Sequence, residues 1–248
     1  MNDLHGKVAL VTGGSRGVGA STAPILAERG ADVVINYRSK QSRAEEVAHT
    51  VITTGRRALL AQADITSESE MQAMMKQIEQ QFTHLDLLIL NASGGLEKDK
   101  GVDYAMQLNL TAQVQAVDLA LPLMPAGGRI VFVTSHLAHF YGQKPVYPGY
   151  EPVAASKKAG EEALRDRISE LAAKGITLVV VSGDLIEGTI TPKLMQRQSP
   201  GLIDSRRQQA GSLPSVEDFA NAIANAAADY HLERGATIFV GSTEWDIA

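Results

Sequence analysis

The segment Thr12-Gly13-Gly14-Ser15-Arg16-Gly17-Val18-Gly19 directly follows the short apolar run Lys7–Val11 and opens a helical stretch containing Val18, Ile25 and Leu26. Glycine is required where the backbone turns sharply, where it must approach a pyrophosphate closely, and where a helix packs onto a strand. The N-terminus of the helix that follows then faces the anion. A strand, glycines at 13, 17 and 19, and a helix, in that order, predict a nucleotide-binding unit rather than an ordinary tight turn. Pro24 lies inside the helix, where it removes a backbone donor and is expected to bend or shorten it.

Six more β-branched or apolar runs follow: Asp32–Ile35, Ala58–Ala61, Leu85–Leu90, Arg129–Val133, Thr177–Val181 and Thr237–Val240. The nearly continuous apolar character of Leu85–Leu90 and Thr177–Val181 suits strands covered on both faces, as in a parallel sheet. Between the runs the period becomes helical. Ala44, Val47, Ala48, Val51 and Ile52 share one face, as do Met71, Met74, Met75, Ile78 and Phe82, and late in the chain Phe219, Ala222, Ile223 and Ala226. The methionine stripe is read as core packing. Ser67 and Glu70 have the spacing of a capping box, and Ser215 that of an N-cap. With no linker in sight, residues 1–248 are expected to form a single-domain Rossmann fold, a doubly wound parallel α/β sheet of about seven strands with helices on both faces.

A net charge of -5 with interleaved signs offers no basic stripe for nucleic acid. No apolar run is long enough to cross a bilayer. Met1–Gly6 lacks the regions of a signal peptide, and the chain has no cysteine, so disulfides and thiolate metal sites are excluded. The expectation is a cytoplasmic protein without a metal.

The second run continues Asn36-Tyr37-Arg38-Ser39-Lys40. A carboxylate here would bind the ribose 2′-hydroxyl of NAD, and Asn36 stands in its place. Arg38, with Arg16 of the glycine loop, is suited to pair with a 2′-phosphate through charge-assisted hydrogen bonds. The expected cofactor is therefore NADP(H), bound by Gly13, Ser15, Arg16, Gly17, Val18 and Gly19 and by Asn36, Tyr37, Arg38 and Ser39.

With these motifs the chain resembles the short-chain dehydrogenase/reductase family, whose glycine motif is TGxxxGxG. The resemblance places Asp64, with Ile65, at the adenine and likens Asn91-Ala92-Ser93-Gly94 to the family's NAG segment. It also makes Asn109 and Ser135 active-site residues and sets Gly183 and Thr189, or Thr191, beside the nicotinamide. It implies a homo-oligomer, a dimer or tetramer, although Gly241–Ala248 departs from the family's Asp-Gly-Gly close.

The family's Tyr-x-x-x-Lys pattern fails in this chain. Lys157 at the lysine position leaves Val153 at the tyrosine position, and valine cannot move a proton. Tyr150 is the best substitute, with six residues between it and Lys157, a spacing similar to the enoyl-acyl-carrier-protein reductase branch; Tyr147 is the second candidate and Lys158 an alternative lysine. Pro152 suits the first helical position, leaving Tyr150 in the loop before it. His136 and His139 are read as surface or substrate-lining residues, and the polar, irregular stretch 187–211 as a mobile substrate lid. The resemblance implies hydride transfer from NADPH to a carbonyl of a small molecule, with an enoyl thioester as the alternative substrate. The missing tyrosine leaves open a third reading, a protein that binds NADP(H) without chemistry.

Overall fold

A computed structural model describes residues 3–96 and 103–247, apart from the side chain of Gln198. Seven parallel strands, β1 (Val8–Val11), β2 (Asp32–Tyr37), β3 (Ala58–Gln62), β4 (Leu87–Leu90), β5 (Arg129–Ser135), β6 (Thr177–Gly183) and β7 (Thr237–Val240), form one sheet in the order 3-2-1-4-5-6-7. Leu10 pairs with Val34 on one side and Leu88 on the other. The order reverses between β1 and β4, and in such sheets ligands bind beyond the strand C-termini at that crevice.

Because side chains alternate along a strand, each strand feeds two cores. Ala9, Val11, Val33, Ile35, Ile89 and Val131 face α1 (Gly17–Glu28), α2 (Gln41–Thr53) and α11 (Val216–Ala228). Leu10, Val34, Leu88, Leu90 and Ile130 face α3 (Glu68–Phe82) and α5 (Ala112–Ala120), with the methionine stripe Met71, Met74 and Met75 inside this core as expected. Each fully buried aliphatic side chain contributes about 1.5–3 kcal/mol, so cutting Leu10 or Leu88 to alanine would cost about 2–5 kcal/mol.

Helix α5 continues from α4 (Tyr104–Met106) through a π-turn (Gln107–Thr111). α6 (His136–His139) follows β5 directly, and α7 (Glu151–Arg165) and α8 (Ile168–Ala173) lead to β6. A third apolar cluster, including Leu137, Tyr147, Tyr150, Val153, Leu185, Met195 and Leu202, lies between these helices and the segment after β6.

Three local expectations are corrected and one, the N-cap at Ser215, is met. α1 is not shortened: it runs past Pro24 to Glu28 before Gly30 turns the chain at φ +104°. Ser67 and Glu70 form no capping box, because Glu70 Oε2 accepts instead from the backbone N–H of Asp64 and Ser67 pairs with Ser69. A full capping box does form at Ser215 and Asp218. The stretch 187–211 is not irregular but holds α9 (Ile190–Gln198) and α10 (Leu202–Ala210), whose Met195 and Leu202 are buried in the third cluster.

Candidate active site

The glycine loop is held by bonds from the side chains of Thr12 and Asn91 to neighbouring backbone. Thr12 is buried at the end of β1; its hydroxyl donates to Ile89 O and accepts from the N–H groups of Asn91 and Ala92. Asn91 returns a bond from Nδ2 to Thr12 O at 2.9 Å, so the loops after β1 and β4 are fixed to each other across the crevice. A Cβ on Gly19 would stand 2.6 Å from both Asn91 Nδ2 and Gly13 O, which explains the requirement for glycine. Gly17, at φ +53°, has nothing within 4 Å of where its Cβ would be and lines the cleft. That open cradle, at the start of α1, is where a phosphate fits.

The cleft is a single cavity of about 630 Å³ running from the glycine loop to Tyr150. Of the residues expected to bind cofactor, Gly13, Ser15, Arg16, Gly17, Val18, Asn36, Tyr37, Arg38, Ser39, Asp64, Ile65, Asn91, Ala92, Ser93, Lys157, Gly183 and Thr189 line it; Gly19 instead supports the loop from behind. Asn36 contributes differently from expectation. It is buried, its Oδ1 accepts from Gly13 N, and its Nδ2 donates to Ala61 O and Ala63 O, so its carboxamide shapes the loop and both its donors are spent. Arg38 lies at the cavity rim, where Nη1 donates to the Tyr104 hydroxyl at 2.9 Å and stands 3.9 Å from Asp64. Lys40 and Arg43 line the same end. Sequence reasoning missed Tyr104, Lys40 and Arg43, though the two cations lie within five residues of Arg38. An open cradle at Gly17 with four basic side chains at one end matches the needs of a phosphorylated dinucleotide.

At the other end, Tyr150 is the residue just before the first turn of α7, with Pro152 at its second position rather than its first. Its hydroxyl lies 3.2 Å from Ser135 Oγ at the end of β5. Ser135 Oγ also accepts from the N–H of Ala138 and so caps α6, which fixes the rotamer that meets Tyr150. Burial pushes the Tyr150 phenol above its ordinary pKa, and the bond from Ser135 opposes that shift.

Lys157 is buried nearly two turns into α7, with Nζ 3.4 Å from Ser93 Oγ. Burial lowers its pKa to about 8, against the pull of Glu161, so the ammonium is the main charged form at neutral pH. Lys158 points away, donating to His139 O and pairing with Glu162.

Asn109 sits in the π-turn, a local widening that often marks functional sites. It donates from Nδ2 to Gly94 O at 2.9 Å and to Ser156 Oγ at 3.0 Å, joining the loop after β4 to α7. Val153 is buried in the third cluster, and its Cγ2 is 3.2 Å from where a Cβ on Gly95 would stand. Val153 is therefore a packing position in this chain.

Tyr147 lines the cavity too, with its phenol pushed up by burial. His136 is buried rather than on the surface but does line the cavity, the other of its two expected places: its Nδ1 pairs with Ser182 Oγ at 2.8 Å, and burial lowers its pKa to about 4, keeping the ring neutral. His139 turns inward to Glu161 at 2.8 Å. Thr189 stands just before α9 but makes no cap bond to it, because its hydroxyl donates to Ile186 O. Among the described residues there is no group of three or more His, Asp or Glu set to hold a metal, and no helix long and apolar enough to cross a membrane.

Residues 7–199 match the family model described as short chain dehydrogenase, and the chain belongs to the short-chain dehydrogenase/reductase family. It is 32% identical over 222 residues to hydroxynaphthalene reductase arp2 of Aspergillus fumigatus, covering 86% of this chain and 77% of that protein. It is 33% identical over 187 residues to 1-cyclohexenylcarbonyl-CoA reductase of Streptomyces collinus, covering 73% of this chain and 65% of that one. Its fold matches the angucycline C-6 ketoreductase LanV with bound NADP at a TM-score of 0.81 and 28% identity, over 97% of this chain and 96% of that one.

Proposed function

We propose that this protein is an NADPH-dependent carbonyl reductase acting on a small molecule. The 3.2 Å contact between the Tyr150 hydroxyl and Ser135 Oγ carries the reading, because it sets a proton donor and a hydrogen-bonding hydroxyl on one point of the cleft, beside Lys157. The names of the Aspergillus fumigatus reductase and of LanV point to the same chemistry.

NADPH would be held by the loop 13–19, with Arg16 and Arg38 toward the 2′-phosphate and Asp64 and Ile65 toward the adenine; when bound it supplies the hydride. Tyr150 donates its proton to the oxygen of the substrate carbonyl as negative charge develops there. Ser135 donates a second hydrogen bond to that oxygen. The Lys157 ammonium favours the ionised phenol by its charge and holds the nicotinamide ribose together with Ser93. Asn109 keeps Gly94 and Ser156 in register and holds a water on the proton path to Tyr150. Gly183 and Thr189 form the wall beside the nicotinamide carboxamide, and α9 and α10 cover the substrate. The protein works in the cytoplasm as a homo-oligomer, a dimer or tetramer.

The test is loss of reduced-nicotinamide absorbance when the purified protein is mixed with NADPH and a panel of ketones, aldehydes and enoyl thioesters. Turnover of ketones supports the reading. Cofactor binding with no turnover of any member would overturn it in favour of a binding protein. A second reading, reduction of a conjugated enoyl thioester, is favoured by the six-residue spacing between Tyr150 and Lys157 and by the name of the Streptomyces collinus relative; turnover confined to the thioesters would select it.

A further inference from the structure

The segment after β7 runs back over the substrate end of the cleft, where Trp245 lines the cavity with Tyr147, Tyr150 and Leu137. We propose that Trp245 is a specificity-determining wall of this site, and that the end it closes takes an uncharged, ring-bearing carbonyl compound. The inference rests on the carbonyl-reductase reading for its chemistry, but not for the wall itself.

Trp245 is fixed from several sides. Its indole N–H donates to Pro145 O at 3.0 Å. Lys144 lies over the ring with Nζ 4.9 Å from its centroid, and the same ammonium donates to Thr243 O at 2.6 Å. From the opposite element, Arg206 of α10 donates to Ser242 O and Glu244 O, each at 2.7 Å, with its guanidinium 5.8 Å from the indole centroid. The segment is thus tied both to the loop that presents Tyr147 and Tyr150 and to α10. A large apolar ring held in this way is ordered before a ligand arrives, so little entropy is lost when one packs against it.

The guanidinium beside Trp245 is neutralised within the protein. Arg206 and Asp184 are both buried and paired through two bonds, Nε to Oδ1 at 2.9 Å and Nη2 to Oδ2 at 2.6 Å. A carboxylate on the substrate would have to compete with Asp184 and with two backbone carbonyls for the same guanidinium. An uncharged ring meets aromatic and aliphatic walls instead, where burying apolar area favours binding.

Trp245 is the one tryptophan in the chain, so its fluorescence lifetime reports on this wall directly. The experiment uses the full chain with NADP⁺ for lifetimes and NADPH for turnover, and three probes: the bicyclic ketone 1-tetralone, the small ketone 2-butanone, and the keto acid levulinate. The expected result is a saturable change of lifetime with 1-tetralone and none with levulinate. Trp245→Ala is expected to lower kcat/KM for 1-tetralone at least tenfold, mainly through KM, with 2-butanone within twofold of wild type and the Kd for NADPH unchanged; Trp245→Phe restores most of the loss. No lifetime change up to the solubility limit of 1-tetralone, or an equal loss for both ketones in Trp245→Ala, would overturn the proposal. If no ketone is reduced, the carbonyl-reductase reading falls, and the lifetime titration alone still decides the wall.

Discussion

The hydroxyl of Tyr150 meets Ser135 Oγ at 3.2 Å although the two residues belong to different elements, one at the end of β5 and one at the start of α7. Ser135 is held by capping α6, and Tyr150 by the backbone of the first turn of α7, where its carbonyl accepts from Val153 and Ala154. The proposed proton donor therefore reaches the site from the beginning of the helix, while Lys157 reaches it from two turns further on.

Replacing Tyr150 with phenylalanine keeps the ring packed and removes only the hydroxyl. Loss of a positioned acid costs about 10²–10⁴ in rate, so kcat in Tyr150→Phe should fall by that factor with the Kd for NADPH unchanged. Tyr147→Phe, which removes a hydroxyl not bonded to Ser135, should lose less than tenfold. Steady-state kinetics with fluorescence titration of NADPH separates the two, and an equal loss in both variants would move the acid to Tyr147.

Val153 cannot simply be returned to tyrosine. Its side chain is buried and close against Gly95, and a phenol there overpacks the cluster by about 1–3 kcal/mol or more. The double variant Val153→Tyr with Tyr150→Phe is expected to melt lower than wild type and to recover no turnover. Recovery to within tenfold of wild type would show that the site can still accept its acid from the helix.

Much of this was readable in the sequence because the signals are local. Strand runs, helical stripes and the glycine loop depend on neighbours within a few residues, and all seven strands lie where their apolar runs predict, with ends shifted by one or two residues, as at Leu87. The resemblance to the enoyl-acyl-carrier-protein reductase branch points to Tyr150 from its distance to Lys157 along the chain, and Tyr150 lines the cleft against Ser135. The turned-in carboxamide of Asn36 could not be read from the chain, because it depends on Ala61 and Ala63 across the sheet. The pair of Asp184 with Arg206, and the return of Trp245 over the cleft, join residues far apart in the chain through packing that no local pattern encodes. The stretch 187–211 reads as irregular because its helices are short and each buries a single large apolar residue, Met195 or Leu202, rather than a long stripe.

Lys157 should trade stability for activity. Its pKa in the folded protein is about 8, below the ordinary 10.5, so between these values the unfolded chain binds more protons and stability rises with pH. Below about pH 8 the folded state bears a buried ammonium. In the cofactor-free protein, Lys157→Met is expected to be more stable than wild type at pH 7 by about 1–2 kcal/mol, the gap narrowing as the pH approaches 10.5, while turnover is lost. Thermal melts of both proteins across this range check it; a variant less stable than wild type at pH 7 contradicts the burial argument. In the wild type, ketone reduction should decline as the pH rises through about 8 and the ammonium loses its proton.

Arg38 should separate the two cofactors. It stands at the rim between Tyr104 and Asp64, at the end of the cleft where Lys40 and Arg43 add positive charge. A charge-assisted contact to a phosphate contributes about 1.5–3 kcal/mol, so Arg38→Ala should raise the Kd for NADPH by about 10- to 100-fold and leave NADH within threefold. Parallel calorimetric titrations decide the matter, and equal weakening of both cofactors would place Arg38 away from the 2′-phosphate.

Gly160 tests how closely α7 must approach the π-turn. In an ordinary exposed helix, glycine to alanine stabilises by about 0.5–1 kcal/mol, because glycine loses more backbone freedom on folding. At residue 160 the sign should reverse. A Cβ there would lie 2.0 Å from the carbonyl oxygen of Asn109, a backbone atom that cannot swing aside. Either α7 moves outward, or the π-turn rearranges, and both responses break the bonds from Asn109 to Gly94 and Ser156 that align the site. Gly160→Ala is therefore expected to lose more than about 4 kcal/mol, seen as a large fall in Tm, and any folded fraction should bind NADPH but reduce ketones at least tenfold more slowly. A Tm at or above the wild-type value would mean that α7 and the π-turn stand further apart in solution, and that Asn109 does not need this contact to hold its place.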